Sequence, residues 1–215
     1  MRYVNKEFTK KFSSKESFKF IAPADFDEVL EKVTAFEYEK DEHLPYWADI
    51  WPSSEALFKI CCNKTIERQS CICELGAGLG LISAAIAKQN PTSEVISTDI
   101  NFEANIYANE NFKLNRIENG NSLCCDWRFS PFKKKFNLIL GADILYEERW
   151  IEPVLMFIKD NLNEGGEAII SDPQRKHWGL FLKRAKILGF KINPLPDFPA
   201  SNKKSIIKSV VLIMI

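Results

Sequence analysis

Residues 74–80 read Glu-Leu-Gly-Ala-Gly-Leu-Gly, directly after a short apolar run and directly before a stretch whose apolar residues recur at helical spacing. A strand, a glycine turn and a helix in that order admit few folds. The glycines let the backbone turn tightly and approach a ligand that a Cβ would repel, and the helix start behind them offers free amide donors. Gly76, Gly78 and Gly80 are spaced G-x-G-x-G, one residue short of the dinucleotide fingerprint G-x-G-x-x-G, so pyrophosphate is not the indicated ligand. Asp99 ends the next apolar run, near the offset of about 20 residues at which a carboxylate reaches a ribose diol. It also suits the cap of a helix starting near Asn101, and at this point both readings stand.

From residue 70 onward short apolar runs (71–75, 94–99, 122–125, 136–141, 167–171 and 205–215) alternate with helical patterns at 79–89, 102–115, 150–161 and 174–188. This alternation predicts an α/β fold, a parallel sheet with helices on both faces. The last run follows a proline-rich loop (Pro194, Pro196, Pro199) too short for a parallel crossover, so a final hairpin, with the last strand antiparallel to the rest, is expected. Ahead of this region lie a predicted helix at 25–37, an aromatic loop at 43–51 and a helix after Pro52 with Ser53 or Ser54 as its cap. We expect residues 1–52 to form an N-terminal extension or lid segment and residues 53–215 the catalytic domain.

Composition excludes several functions. Of 215 residues 29 are Lys or Arg and 29 Asp or Glu, and this balance gives no general attraction to nucleic acid or anionic lipid. Cysteines at 61, 62, 71, 73, 124 and 125 form close pairs without C-x-x-C spacing, which argues against a zinc site and fits reduced thiols in a cytoplasmic protein. No apolar leader or membrane-length run is visible. The basic opening faintly resembles a transit peptide, but Glu7 and Glu16 lie inside it and such peptides are poor in acids. His43 and His177 have no visible partner and read as surface or satisfied histidines.

The segment Glu74–Gly80 with Asp99-Ile100-Asn101 resembles motifs I and II of the class I, seven-β-strand methyltransferases that use S-adenosylmethionine. More narrowly, the tryptophan-proline segment ending at Pro52, Asp126-Trp127 after the third strand and Asp143-Ile-Leu-Tyr146 after the fourth are similar to the protein-lysine methyltransferase family marked by a D/E-x-x-Y/F motif, including its electron-transfer-flavoprotein β-subunit branch. The resemblance covers about residues 43–175. It implies a Rossmann-like, seven-stranded, mostly parallel sheet and the cofactor S-adenosylmethionine.

Carried over residue by residue, it implies that Glu74, Gly76, Gly78 and Gly80 form the loop at the methionine part of the cofactor, and that Asp99 with Ile100 serves the ribose. Asp126 would face the adenine amine, Trp127 would pack on the adenine ring, and Trp51 and Ala142 would border the site. Arg128 stands where the family often has glycine, so the adenine end departs from the pattern. Asp143 and Tyr146 are the implied catalytic pair, orienting an acceptor amine; read without the other motifs, Asp143 better suits a helix cap and Tyr146 simple packing.

The expected partner is a protein with an acceptor lysine, with no nucleic acid and no membrane, and the expected state is a monomer. Asp143-Ile-Leu-Tyr146 lacks the prolines of the D/N-P-P-Y/F motif of nucleic-acid adenine methyltransferases. A small-molecule N- or O-methyltransferase and a non-catalytic cofactor-binding module remain as alternatives. Tyr46 and Trp47 suit either a lid or core packing, and Arg175 either an acidic substrate or a structural ion pair.

Overall fold

The structure, a computed structural model, describes residues 3–11, 17–33, 44–200 and 205–214. Strands β3 (Cys71–Leu75), β4 (Glu94–Asp99), β5 (Gly120–Cys124), β6 (Phe136–Ala142), β7 (Leu162–Asp172), β8 (Phe190–Pro194) and β10 (Ile206–Met214) form one sheet in the order β5-β4-β3-β6-β7-β10-β8, and the two-residue β9 (Phe198–Pro199) pairs with β10. The five strands from β5 to β7 are mutually parallel, whereas β10 runs antiparallel to both β7 and β8. The expected seven-stranded, mostly parallel sheet with an antiparallel last strand is therefore present.

Four of the five β3 residues are buried, because helices cover both faces: α2 (Pro52–Cys62), α3 (Leu81–Gln89) and α4 (Phe102–Leu114), then α5 (Ile151–Asn161) and α6 (Trp178–Ile187). Leu75, Ile139, Leu155 and Phe181 belong to one buried cluster, and Leu57, Ile72, Ile86 and Leu140 to a second. Parallel strands end together, so the β3, β4 and β6 termini converge on one edge, where ligands of open α/β sheets bind.

The structure departs from the expectations at several points. The expected final hairpin is β8 with β10, but its first strand, Phe190–Pro194, takes in the first proline assigned to the loop, and Pro194 closes that strand where a missing N–H is tolerated. Helix α2 starts one residue before the expected serine caps, with Trp51 as N-cap and Pro52 in its first turn, because proline's fixed φ suits the first helical position. The helix α1, capped by Asp25, spans only Phe26–Glu31, and residues 34–43, including His43, lie outside the described residues.

The N-terminal segment also contains a hairpin, β1 (Asn5–Lys11) with β2 (Ser17–Pro23), that the sequence reading leaves as a polar start. Phe18, Phe20 and Ala22 are buried on one face of β2. Side chains of α4 imitate a neighbouring strand for it. Asn111 accepts from the Ile21 amide at 2.8 Å and donates to the Ile21 carbonyl at 3.2 Å, while Asn115 accepts from the Lys19 amide at 3.0 Å and donates to its carbonyl at 2.7 Å. Among the described residues no helix is long and apolar enough to cross a membrane, and no group of three His, Cys, Asp or Glu could hold a metal ion.

Candidate cofactor and acceptor site

The glycine turn joins β3 to α3. Gly78 (φ 52°) and Gly80 (φ 75°) both lie in the left-handed region, where a Cβ is strained. A Cβ would also meet the Trp47 carbonyl oxygen at 3.1 Å from Gly78 and the Ala108 Cβ at 3.0 Å from Gly80. The first glycine thus admits the aromatic segment 46–51 over the loop, and the second admits α4.

Gly80 is the N-cap of α3 and offers no side chain. Glu74 substitutes for it from the strand: its Oε2 accepts from the Ser83 amide at 2.8 Å and from the Ser83 hydroxyl. Glu74 is buried beneath the loop and does not line the cavity, so its position is that of a cap rather than a ligand contact. Burial pushes its pKa up to about 7 against the opposing Ser83 bonds.

Because the folded value lies above the unfolded one, the native state holds this proton more tightly, and the stability it contributes is lost as pH rises through about 7. Glu74→Gln should therefore gain stability relative to wild type between pH 5 and pH 8, by on the order of 2 kcal/mol in chemical denaturation. A pH-independent difference between the two proteins would assign no ionisation cost to Glu74.

Asp99, at the end of β4, ties the loop to the sheet. Its Oδ2 accepts from the Gly78 amide at 3.0 Å and its Oδ1 from the Asn101 amide at 2.9 Å. The cap of α4 is Asn101, which accepts from the Glu103 amide at 2.9 Å, so Asp99 is not that cap. Burial raises the Asp99 pKa to about 6, with its two amide bonds opposing. Each oxygen still has acceptor capacity for a ligand hydroxyl.

Asp99 lines a cavity of about 350 Å³ together with Trp51, Gly76, Gly78, Ile100, Trp127, Ala142, Asp143 and Tyr146. Its walls are aromatic. Trp51 donates through Nε1 to the Tyr46 carbonyl at 2.7 Å, and the Tyr46 ring lies 5.9 Å from Trp51 and 5.5 Å from Tyr146. Trp127 packs edge-on against Trp150 at 5.6 Å, and Trp47 lies 5.3 Å from Tyr107. Tyr46 and Trp47 both line the cavity, although Trp47 is also a buried member of the hairpin's cluster.

Asp126, like Glu74 and Gly80, is a predicted contact that does not line the cavity. Its carboxylate accepts from Arg128 Nε at 2.9 Å and Nη2 at 2.6 Å and caps the short turn Trp127–Phe129 through the Arg128 amide at 2.9 Å. The residue that departs from the family pattern thus engages this carboxylate, and the Arg128 guanidinium also lies 5.4 Å from the Trp150 ring. His177 is buried, with Nδ1 3.8 Å from Glu148, and does not line the cavity.

Asp143 follows β6 in the left-handed region (φ 60°). It caps no helix, since α5 begins at Ile151 with Trp150 before it. Its Oδ1 accepts from Arg175 Nε at 2.7 Å and pairs with Nη2 at 2.7 Å. Oδ2 is buried and has no hydrogen-bond partner among the described residues; the Ser53 hydroxyl, equally unpaired by geometry, is near enough to draw the Asp143 pKa down. Burial, the larger effect, pushes that pKa up and Arg175 opposes it. Burial also raises the Tyr146 pKa, so its phenol is neutral at ordinary pH.

Sequence reasoning passed over Asp49 and Glu147, which line the cavity too, so four carboxylates face one guanidinium, that of Arg175. No motif marks Asp49. Glu147, next to Tyr146, could have been found by its position.

This glycine turn, the Asp99 carboxylate tied to it and the sheet order define a Rossmann-like fold of the class I methyltransferase type. The fold is shared with a TehB-like SAM-dependent methyltransferase from Corynebacterium glutamicum, with a TM-score of 0.58 at 20% identity over 84% of this chain and 96% of that one. The chain belongs to the lysine methyltransferase family, whose profile it matches over residues 35–185.

Among curated proteins it is similar to a release factor glutamine methyltransferase of Buchnera aphidicola (31% identity over 121 residues, 56% of this chain and 42% of the relative). It is also similar to an electron transfer flavoprotein beta subunit lysine methyltransferase of Danio rerio (30% over 135 residues, 61% and 51%). The chain thus spans about half the length of these relatives or less.

Proposed function

We propose that the protein is an S-adenosylmethionine-dependent methyltransferase whose acceptor is a lysine side chain of another protein. The observation that carries this reading is Asp143, buried and with Oδ2 unpaired, lining the same cavity as Asp99 and the glycine turn. S-adenosylmethionine supplies an activated methyl group on a cationic sulfonium, and the residues fit it. Asp99 accepts from the ribose hydroxyls, the glycine turn leaves room for the methionine part, and Trp51 and Trp127 offer faces that suit adenine and a sulfonium. With Asp126 engaged by Arg128, adenine is held mainly by Trp127 and Ile100.

Alignment is the remaining task, because the methyl group is already activated. A free lysine, with a pKa of about 10.4, arrives as an ammonium. Desolvation between Tyr46, Trp51 and Tyr146 disfavours the charged form, so the ammonium gives its proton to water as it enters, and Asp143 accepts a hydrogen bond from the resulting neutral amine and fixes its direction. Four carboxylates around the cavity favour a cationic acceptor over the uncharged amide of a glutamine. The segment up to residue 52 acts as a lid through Tyr46–Trp51, and six free cysteines fit a reducing compartment such as the cytoplasm.

The test is to incubate the purified protein with methyl-tritiated S-adenosylmethionine and a cell lysate, then to digest with protease or nuclease. Label that protease removes from the acid-insoluble fraction supports the reading. Label that nuclease removes, or label confined to small molecules, contradicts it.

A further inference from the structure

We infer that Arg175 is a positioning residue for Asp143: its guanidinium holds one carboxylate oxygen and so leaves the other anionic and aimed for the acceptor. This rests on the proposed role of Asp143. The two residues are 32 positions apart, yet Arg175 Nε and Nη2 both reach Oδ1 at 2.7 Å while Oδ2 stays buried without a hydrogen bond. Both contacts fall on the same oxygen. The pair therefore orients the carboxylate instead of saturating it, which a bidentate fork on both oxygens would do.

The surroundings hold the guanidinium in place. Asp172, fully buried at the end of β7, accepts from the Arg175 amide at 2.7 Å, and this turn fixes the start of the arginine side chain. Gln174, just before it, has φ 61°, and Asp143 has φ 60°. Left-handed backbone at Gln174, beside the arginine, is strain that persists only where the surrounding structure over-determines it, whereas aspartate adopts it more readily than most residues.

The groups that bear on Asp143 are Arg175 and Asp172 from the β7 end and Ser53 from α2. Among them Arg175 is the one cation, and it does more than the Ser53 hydroxyl to offset the burial of the Asp143 charge. The same arginine thus keeps two buried carboxylates, each with an unpaired oxygen, compatible in one place.

The experiment is a pH titration of the aspartate carboxyl carbons by NMR, with Asp143 assigned by the signal lost in Asp143→Asn. In Arg175→Gln, Asp143 should titrate higher than in wild type by about one to three pH units, and Arg175→Lys should recover part of the difference because it keeps the charge. In wild type, the Arg175 Nε–H resonance should move with the same midpoint as the Asp143 carboxyl, a readout that needs no variant to fold.

An unchanged Asp143 midpoint in folded Arg175→Gln, or an Arg175 Nε–H signal indifferent to that midpoint, would overturn the inference and leave the methyltransferase reading standing. Wild-type turnover by Asp143→Asn would do the reverse, removing the role of Asp143 in the reaction while the coupling to Arg175 survives.

Discussion

Asp143→Asn should lower methyl transfer by about 10²-fold to 10⁴-fold, the usual loss when a positioned group that accepts a proton or a charged hydrogen bond is removed. Affinity for S-adenosylhomocysteine should be nearly unchanged, because the contribution belongs to the acceptor and the transition state. Asparagine tolerates the left-handed backbone at this position (φ 60°) and keeps an oxygen for Arg175, so the fold should survive. Only the anionic oxygen is lost. Turnover with a titrated acceptor, alongside calorimetry with S-adenosylhomocysteine, separates the two effects. A rise in the dissociation constant as large as the fall in turnover would instead make Asp143 a cofactor contact.

The second large effect is expected at Asp99. Truncation to alanine removes a charged acceptor for two hydroxyls and should weaken S-adenosylhomocysteine binding by roughly 1.5 to 3 kcal/mol, a factor of about 10 to 150. It also frees the Gly78 and Asn101 amides, so thermal stability should fall as well. The pH dependence distinguishes the contributions. With a folded pKa of about 6, Asp99 is ionised above that value, and ribose hydroxyls bind the ionised form more strongly. Affinity should therefore be full above pH 6 and decline below it in wild type, and the decline should disappear in Asp99→Ala. An affinity equally pH-dependent in both proteins would place the titrating group elsewhere.

Much of the fold was legible because its signals are local. The turn at 74–80 announces itself through three glycines between a strand and a helix, and Asp99 through its distance from them. Both came out on one cavity. What stayed hidden depends on partners far along the chain. The β1–β2 hairpin owes its docking to the side-chain amides of Asn111 and Asn115, roughly ninety residues on, although the alternation Phe18-Lys19-Phe20 in β2 already carried a strand signal. A final hairpin was legible, but the position of its first strand, Phe190–Pro194, was not, because that pattern is short and ends in proline.

The site divides the same way. Glu74 was assigned to the cofactor by position in the motif, but Gly80 lacks a capping side chain and the helix behind it draws Glu74 to Ser83. Asp126 was assigned to adenine, and the adjacent Arg128 engages its carboxylate. That departure from glycine was visible in the sequence, whereas its consequence needed the geometry of a guanidinium folding back two residues. The Arg175–Asp143 pair was legible only as an unspecified ion pair of Arg175.

The most direct measurement is chemical identification of the methylated group in the acceptor protein. Acid hydrolysis of the labelled protein should yield Nε-methylated lysine as the tritiated amino acid, and it should be absent when Asp143→Asn replaces wild type. Label recovered as a methylamine released from a glutamine amide, with none in lysine, would contradict the lysine assignment.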